Sequence, residues 1–165
     1  MKEMTKANLS AAFAGESQAH MKYLAFADQA EREGLPNVAR LFRAASYAEQ
    51  MHAIAHLRTL GGINDTVTNL GAAFGGETFE IDEMYPAYMA VADVQQEKAA
   101  KVSMDRALQA EKVHAKLYAA AKDCASEKQD FNIGAIYVCE VCGYTVEGAA
   151  PEKCPLCNST KFRKF

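Results

Sequence analysis

Between about residues 4 and 124, apolar positions recur every three to four residues, and no segment alternates convincingly as a half-buried strand would. Ala, Leu, Met, Glu, Gln and Lys, all good helix formers, dominate this stretch. Two breaker clusters interrupt it, "GLPN" at 34–37 and "GGIND" at 61–65. The pattern predicts helices near 5–33, 37–60, 69–95 and 97–124. Pro86 falls inside the third and predicts a kink or a local break in its hydrogen bonds. After Cys124 the pattern changes: "ASEKQDFNIG" is polar and linker-like, and β-branched and aromatic residues then surround paired cysteines. The predicted organisation is a helical domain over 1–124, a linker over 125–136, and a small module of short strands and turns over 137–165.

The helical domain contains a repeat. "NLSAAFAGES" at Asn8 returns as "NLGAAFGGET" at Asn69, and "AEQMH" at 48–52 returns as "AEKVH" at 110–114. The repeat places the poorly signalled third break, because Gln96 then stands opposite Gly34. Each half is a helix pair with Glu early on its first helix and Glu-x-x-His on its second. Two such pairs predict an all-α four-helix bundle, with the loop after Leu60 as the crossover.

The charged residues of the repeat lie on the wrong face for solvent. Leu41, Phe42, Ala45, Glu49 and His52 share one helical stripe, as do Met104, Ala107, Leu108, Glu111 and His114. Glu16 follows Leu9 and Ala12 on the first helix, while Glu77 and Glu80 follow Leu70 and Ala73 on the third. Five carboxylates in one core would repel one another and lose hydration. Two divalent cations would leave only one net negative charge, and the oxygen and imidazole donors suit iron or manganese. A single Glu-x-x-His is common on a solvated helix face; two at matching repeat positions on apolar stripes are hard to read as surface charge. Glu16, Glu49, His52, Glu77, Glu111 and His114 match the donor set of ferritin-like dimetal carboxylate bundles, and Glu80, three residues beyond Glu77 on the same face, is a further candidate ligand although its repeat partner is Ala19. His20 and His56, one turn beyond Glu16 and His52, read as residues supporting the ligands or at the solvent edge, and Tyr23 and Tyr85 as hydrogen-bond partners of the ligands or as plain core packing.

In the tail, Cys139-x-x-Cys142 and Cys154-x-x-Cys157 are separated by eleven residues. Two such knuckles converge on one tetrahedral metal, as a zinc ribbon or as a redox-active iron. Cys124 lies outside the pattern. The net charge of −3 has no basic block behind it, which argues against nucleic acid and anionic membranes as partners. No apolar run approaches the ~20 residues of a membrane span, and the N-terminus lacks a secretory apolar region, so a cytoplasmic protein is expected.

In order along the chain, "AGESQAHMKY", "AEQMH", "GGETFEIDEMYP", "AEKVH", and the CxxC pairs with "CGY" and "CPLC" resemble the rubrerythrin family over nearly the whole length. The resemblance implies a ferritin-like diiron bundle followed by a rubredoxin-like domain. It implies a non-haem peroxidase of oxidative-stress defence. Electrons would pass from rubredoxin or an NAD(P)H-dependent rubredoxin reductase through the tetracysteine iron, and hydrogen peroxide would be reduced to water. Carried onto this chain, Glu49 and Glu111 bridge the irons, Glu16 binds the first, and Glu77 and His114 hold the second. The first iron exchanges Glu80 when oxidised for His52 when reduced. Gln95 and Gln96 depart from the family's acidic residue and Gly, and Asn158 stands where Gly is usual; Asn tolerates a left-handed backbone.

A ferroxidase and a zinc-stapled structural protein are the competing readings. The fused electron-transfer module argues against the first, and a visible spectrum separates the second. His114 lies about 15 Å along the helix from Cys124, so a tail beginning there starts displaced from its own chain's ligands. That displacement, a linker of about 40 Å reach, and the family resemblance lead to an expected head-to-tail homodimer with transfer between subunits.

Overall fold

The computed structural model describes residues 1–165 in two compact units, Met1–Asn64 and Asp65–Phe165. The first is a helical hairpin of α1 (Glu3–Arg32) and α2 (Pro36–Thr59). Gly34, at φ +75°, closes α1: the Gly34 amide donates to Glu31 and the Leu35 amide to Ala30, capturing carbonyls the helix end would orphan. Pro36 opens α2, where its missing N–H costs nothing. Buried Ala27, Ala30, Ala39 and Ala53 let the two backbones approach closely. Tyr23, Phe26 and Phe42 form an aromatic cluster with ring centroids 5.6–6.3 Å apart. Burial on the predicted stripe is partial. Leu41 is 68% exposed.

The second unit contains α3 (Thr66–Phe79), a π-helical turn (Glu80–Met84), α4 (Tyr85–Val94), α5 (Lys98–Ser126) and three strands. Asp65 caps α3 by accepting the Thr68 amide at 2.9 Å. The sequence predicted a kink or a local break in the hydrogen bonds of the helix over 69–95, and α3 and α4 run on through one wider turn. Pro86 has no N–H to offer, and the Tyr85 amide reaches back to Glu80 across five residues. The break before α5 falls where the repeat placed it. Gln96 adopts φ +60°, its amide bonds to Asp93, and the Glu97 amide bonds to Ala92, reproducing the Gly34 cap.

Strands β1 (Ile136–Cys139), β2 (Thr145–Glu147) and β3 (Phe162–Lys164) form an antiparallel sheet in the order β2-β1-β3, pairing Val138 with Thr145 and with Arg163. Gly143 at φ +77° and Asn158 at φ +59° shape the two knuckles. Their amides donate to the Cys139 and Cys154 carbonyls, so Asn158 does take the left-handed conformation. This fold is the helical ferritin-like architecture with a small rubredoxin-like β module. No helix is long and apolar enough to cross a membrane.

Candidate metal centres

The four cysteine sulfurs lie within 4.8 Å of one another. Cys139 and Cys157 are 3.6 Å apart and Cys142 and Cys154 3.5 Å. A tetrahedron of metal–sulfur bonds about 2.3 Å long has edges of about 3.8 Å, so the donors fit one tetrahedral metal. Burial pushes the Cys142 thiol up to about 12. At Cys139 burial acts the same way, but the Val141 and Cys142 amides and the Cys157 thiol outweigh it and hold the group at about 7. A metal is bound by thiolates, so its binding here must release the proton that burial holds on Cys142.

In the first unit, Glu16 on α1 meets Glu49 and His52 on α2. His52 Nδ1 lies 3.0 Å from Glu49 Oε2 and 3.9 Å from Glu16 Oε1. In the second, Glu77 on α3 meets Glu111 and His114 on α5. His114 Nδ1 lies 2.7 Å from Glu111 Oε2 and 3.8 Å from Glu77 Oε1. The duplicated sequence thus folds into duplicated geometry, down to the ring nitrogen used. In each trio the donor atoms lie within 4.8 Å of one another, the span of ligands around one cation with bonds of about 2.1 Å. His52 is 57% exposed and His114 29%.

In the second trio, burial and neighbouring charge act together on the carboxylates. Burial, then the Glu111 charge, push Glu77 up to about 7. Burial and Glu111 also raise Glu80, against a lowering by His114. Glu80 is not in the close trio, but it feels both Glu111 and His114 from the first position of the π turn. Tyr85 is raised by burial and then by Glu80, Glu111 and Glu77, so its phenol keeps its proton beside them. His20 is tied elsewhere: the Ser46 hydroxyl donates to the His20 carbonyl, and His20 Nδ1 lies 2.9 Å from the Ser46 carbonyl.

The structure corrects one expectation. The tail does not lie away from its own chain's ligands. The linker doubles back along α5, and His114 Nε2 lies 2.8 Å from the hydroxyl of Thr145 on β2. Phe131, Ile133 and Ile136 line an apolar cavity of about 480 Å³ with Leu117, Tyr118 and Ala121, so apolar contact draws the linker back onto the helix that precedes it. Helix length alone accounts for the displacement at Cys124 but not for this reversal. Thr145 itself had no signal in the sequence, being a small polar residue in a strand.

A family model described as rubrerythrin matches residues 7–122, and one described as the rubrerythrin rubredoxin-like domain matches residues 137–163. Rubrerythrin-2 of Clostridium acetobutylicum is 41% identical over 178 residues, covering 98% of this chain and 97% of its own. Nigerythrin of Nitratidesulfovibrio vulgaris is 36% identical, covering 95% and 83%. A solved structure of fully reduced, all-ferrous nigerythrin matches with a TM-score of 0.56 at 33% identity, over 98% of this chain and 86% of that one. The family carries a diiron centre and a rubredoxin-like iron, and this chain holds the carboxylate–histidine and tetracysteine donors for both. The chain belongs to the rubrerythrin family of diiron oxidoreductases.

Proposed function

We propose that the protein is a cytoplasmic peroxidase that reduces hydrogen peroxide to water with electrons relayed through the Cys139–Cys142–Cys154–Cys157 iron. The observation that carries this reading is the double engagement of His114. Its Nδ1 faces Glu111, and its Nε2 meets Thr145, three residues beyond Cys142. A carboxylate cluster in contact with an electron-transfer module is what a reductase of peroxide needs, and a ferroxidase, supplied with electrons by its own ferrous substrate, does not.

A diferrous pair supplies two electrons, which with two protons convert one hydrogen peroxide into two waters. The chain supplies the rest. Glu16, Glu49, His52, Glu77, Glu80, Glu111 and His114 would hold the cations, the role the family resemblance gives them. Tyr85 presents a protonated hydroxyl beside these carboxylates, a donor able to orient peroxide or hand a hydrogen bond to a departing oxygen. The donor is rubredoxin or an NAD(P)H-dependent rubredoxin reductase. A homodimer belongs to the proposal, supported by Met21 and Tyr47, both more than 60% exposed on the first hairpin. The contact of His114 with Thr145 supports a relay within one chain, in place of the expected transfer between subunits.

The test is steady-state turnover of iron-loaded protein with a reduced rubredoxin donor, comparing peroxide with dioxygen. Faster donor oxidation by peroxide is expected. A preference for dioxygen, with added ferrous iron consumed as substrate, would overturn the reading.

A further inference from the structure

We propose that Thr145 is a positioning residue that fixes the metal-binding tautomer of His114. The inference rests on His114 being an iron ligand and assigns a function to a side chain outside the ligand set. Thr145 is only 4% exposed, and its hydroxyl has two close partners. Oγ1 lies 3.0 Å from the Gly143 carbonyl and 2.8 Å from His114 Nε2.

A hydroxyl has one hydrogen to give, and a carbonyl can only accept. If Thr145 donated to Nε2, its oxygen would face the Gly143 carbonyl at 3.0 Å with no hydrogen between them. The arrangement that satisfies both contacts has Thr145 donating to Gly143 and accepting from an Nε2–H. His114 then carries its ring proton on Nε2, and Nδ1, which faces Glu111 and Glu77, is the nitrogen left to take a cation. A metal-bound histidine is held by a partner on its other nitrogen, and losing that partner weakens metal binding about 10–100-fold.

The anchor at the far end is rigid. Gly143 belongs to the first cysteine knuckle, where its amide donates to the Cys139 carbonyl at 3.0 Å. The tetracysteine module thus orients a ligand of the carboxylate site through one side chain. His52 has no such partner. Its hydrogen bond runs through Nδ1 to Glu49, and the ring is 57% exposed. The two repeat-related histidines therefore differ in the partner of the far nitrogen, Thr145 for His114 and none within the chain for His52.

The test uses full-length protein with cobalt(II) in the carboxylate sites. A ring N–H of a cobalt-bound histidine gives a strongly shifted, exchangeable proton signal. The His114 signal is identified by its loss in His114→Ala, and the His52 signal by its loss in His52→Ala. We expect the His114 proton to exchange with deuterium at least about tenfold more slowly than the His52 proton, in wild type and in Thr145→Ser. Thr145→Val should abolish that protection and lower cobalt affinity about 10–100-fold. Wild-type exchange as fast as that of His52, or unchanged exchange and affinity in Thr145→Val, would overturn the assignment. If Thr145→Val does not fold, the comparison of wild type with Thr145→Ser and with His52 still decides. Undiminished cobalt binding in His114→Ala is a different failure, that of the ligand reading itself.

Discussion

Gln96 sits at φ +60° in the helix-ending position that Gly34 fills at φ +75° in the other half of the repeat. Both amides bond back three residues, and the residue after each bonds back five. The two halves share the cap but not the glycine. A left-handed non-glycine residue costs about 1–2 kcal/mol, partly offset because glycine is more disordered when unfolded. Gln96→Gly should therefore stabilise the protein by about 1 kcal/mol, and Gly34→Gln should destabilise it by a similar amount. Urea midpoints of the two variants check this, and a destabilised Gln96→Gly would show that the glutamine side chain does more than close the turn.

Glu111→Ala should empty the diiron centre while leaving the coloured tetrathiolate iron in place, because Glu111 in the proposed bridging role would serve both cations. Iron analysis beside the visible spectrum checks it. Two irons retained per carboxylate site would exclude the bridging role.

Cys142→Ser should leave the carboxylate irons assembled but slow steady-state peroxide turnover with a rubredoxin donor. Chemically reduced protein should still consume peroxide once. An unchanged steady-state rate would mean that electrons reach the carboxylate site without the cysteine iron.

The contact of His114 with Thr145 reverses the expectation for mixed subunits. Glu111 and Cys142 lie in the same unit of one chain, so under the proposed relay a subunit lacking either would be unable to turn over. A heterodimer of Cys142→Ser and Glu111→Ala subunits should stay as inactive as its parents. Restored turnover on mixing would place transfer between subunits.

Metal-free protein should lose stability as pH rises. Glu77 is held at about 7 in the folded chain against an ordinary value of 4.5, chiefly by burial and then by Glu111. A raised carboxyl favours folding while protonated, so its contribution is complete below about pH 4.5 and is lost as pH climbs through about 7. The melting midpoint of the metal-free protein should fall over this interval, and Glu77→Gln should flatten that part of the curve. Adding ferrous iron should reverse the trend, because the cation takes the place of the proton and binds better as carboxylates and histidines deprotonate. A midpoint that rises between about pH 5 and about pH 7 without metal would contradict the burial of Glu77.

The sequence by itself determined what is periodic or repeated along the chain. Helical spacing places Glu49 with His52, and Glu111 with His114, whatever the helices pack against, because three residues is nearly one turn. The duplication located the unsignalled break at Gln96, and the cysteine spacing fixed a tetrahedral donor set, since two short knuckles leave little freedom. The tertiary structure decided what depends on packing across the chain. The π turn at Glu80 arises because Pro86 withholds a hydrogen bond and the helix continues anyway, an outcome set by the fold rather than by propensity. Thr145 comes to rest on His114, thirty-one residues away in sequence, only because apolar contacts of residues 131–136 fold the linker back along α5. No local pattern encodes that reversal, which is a balance of loop entropy against buried apolar surface.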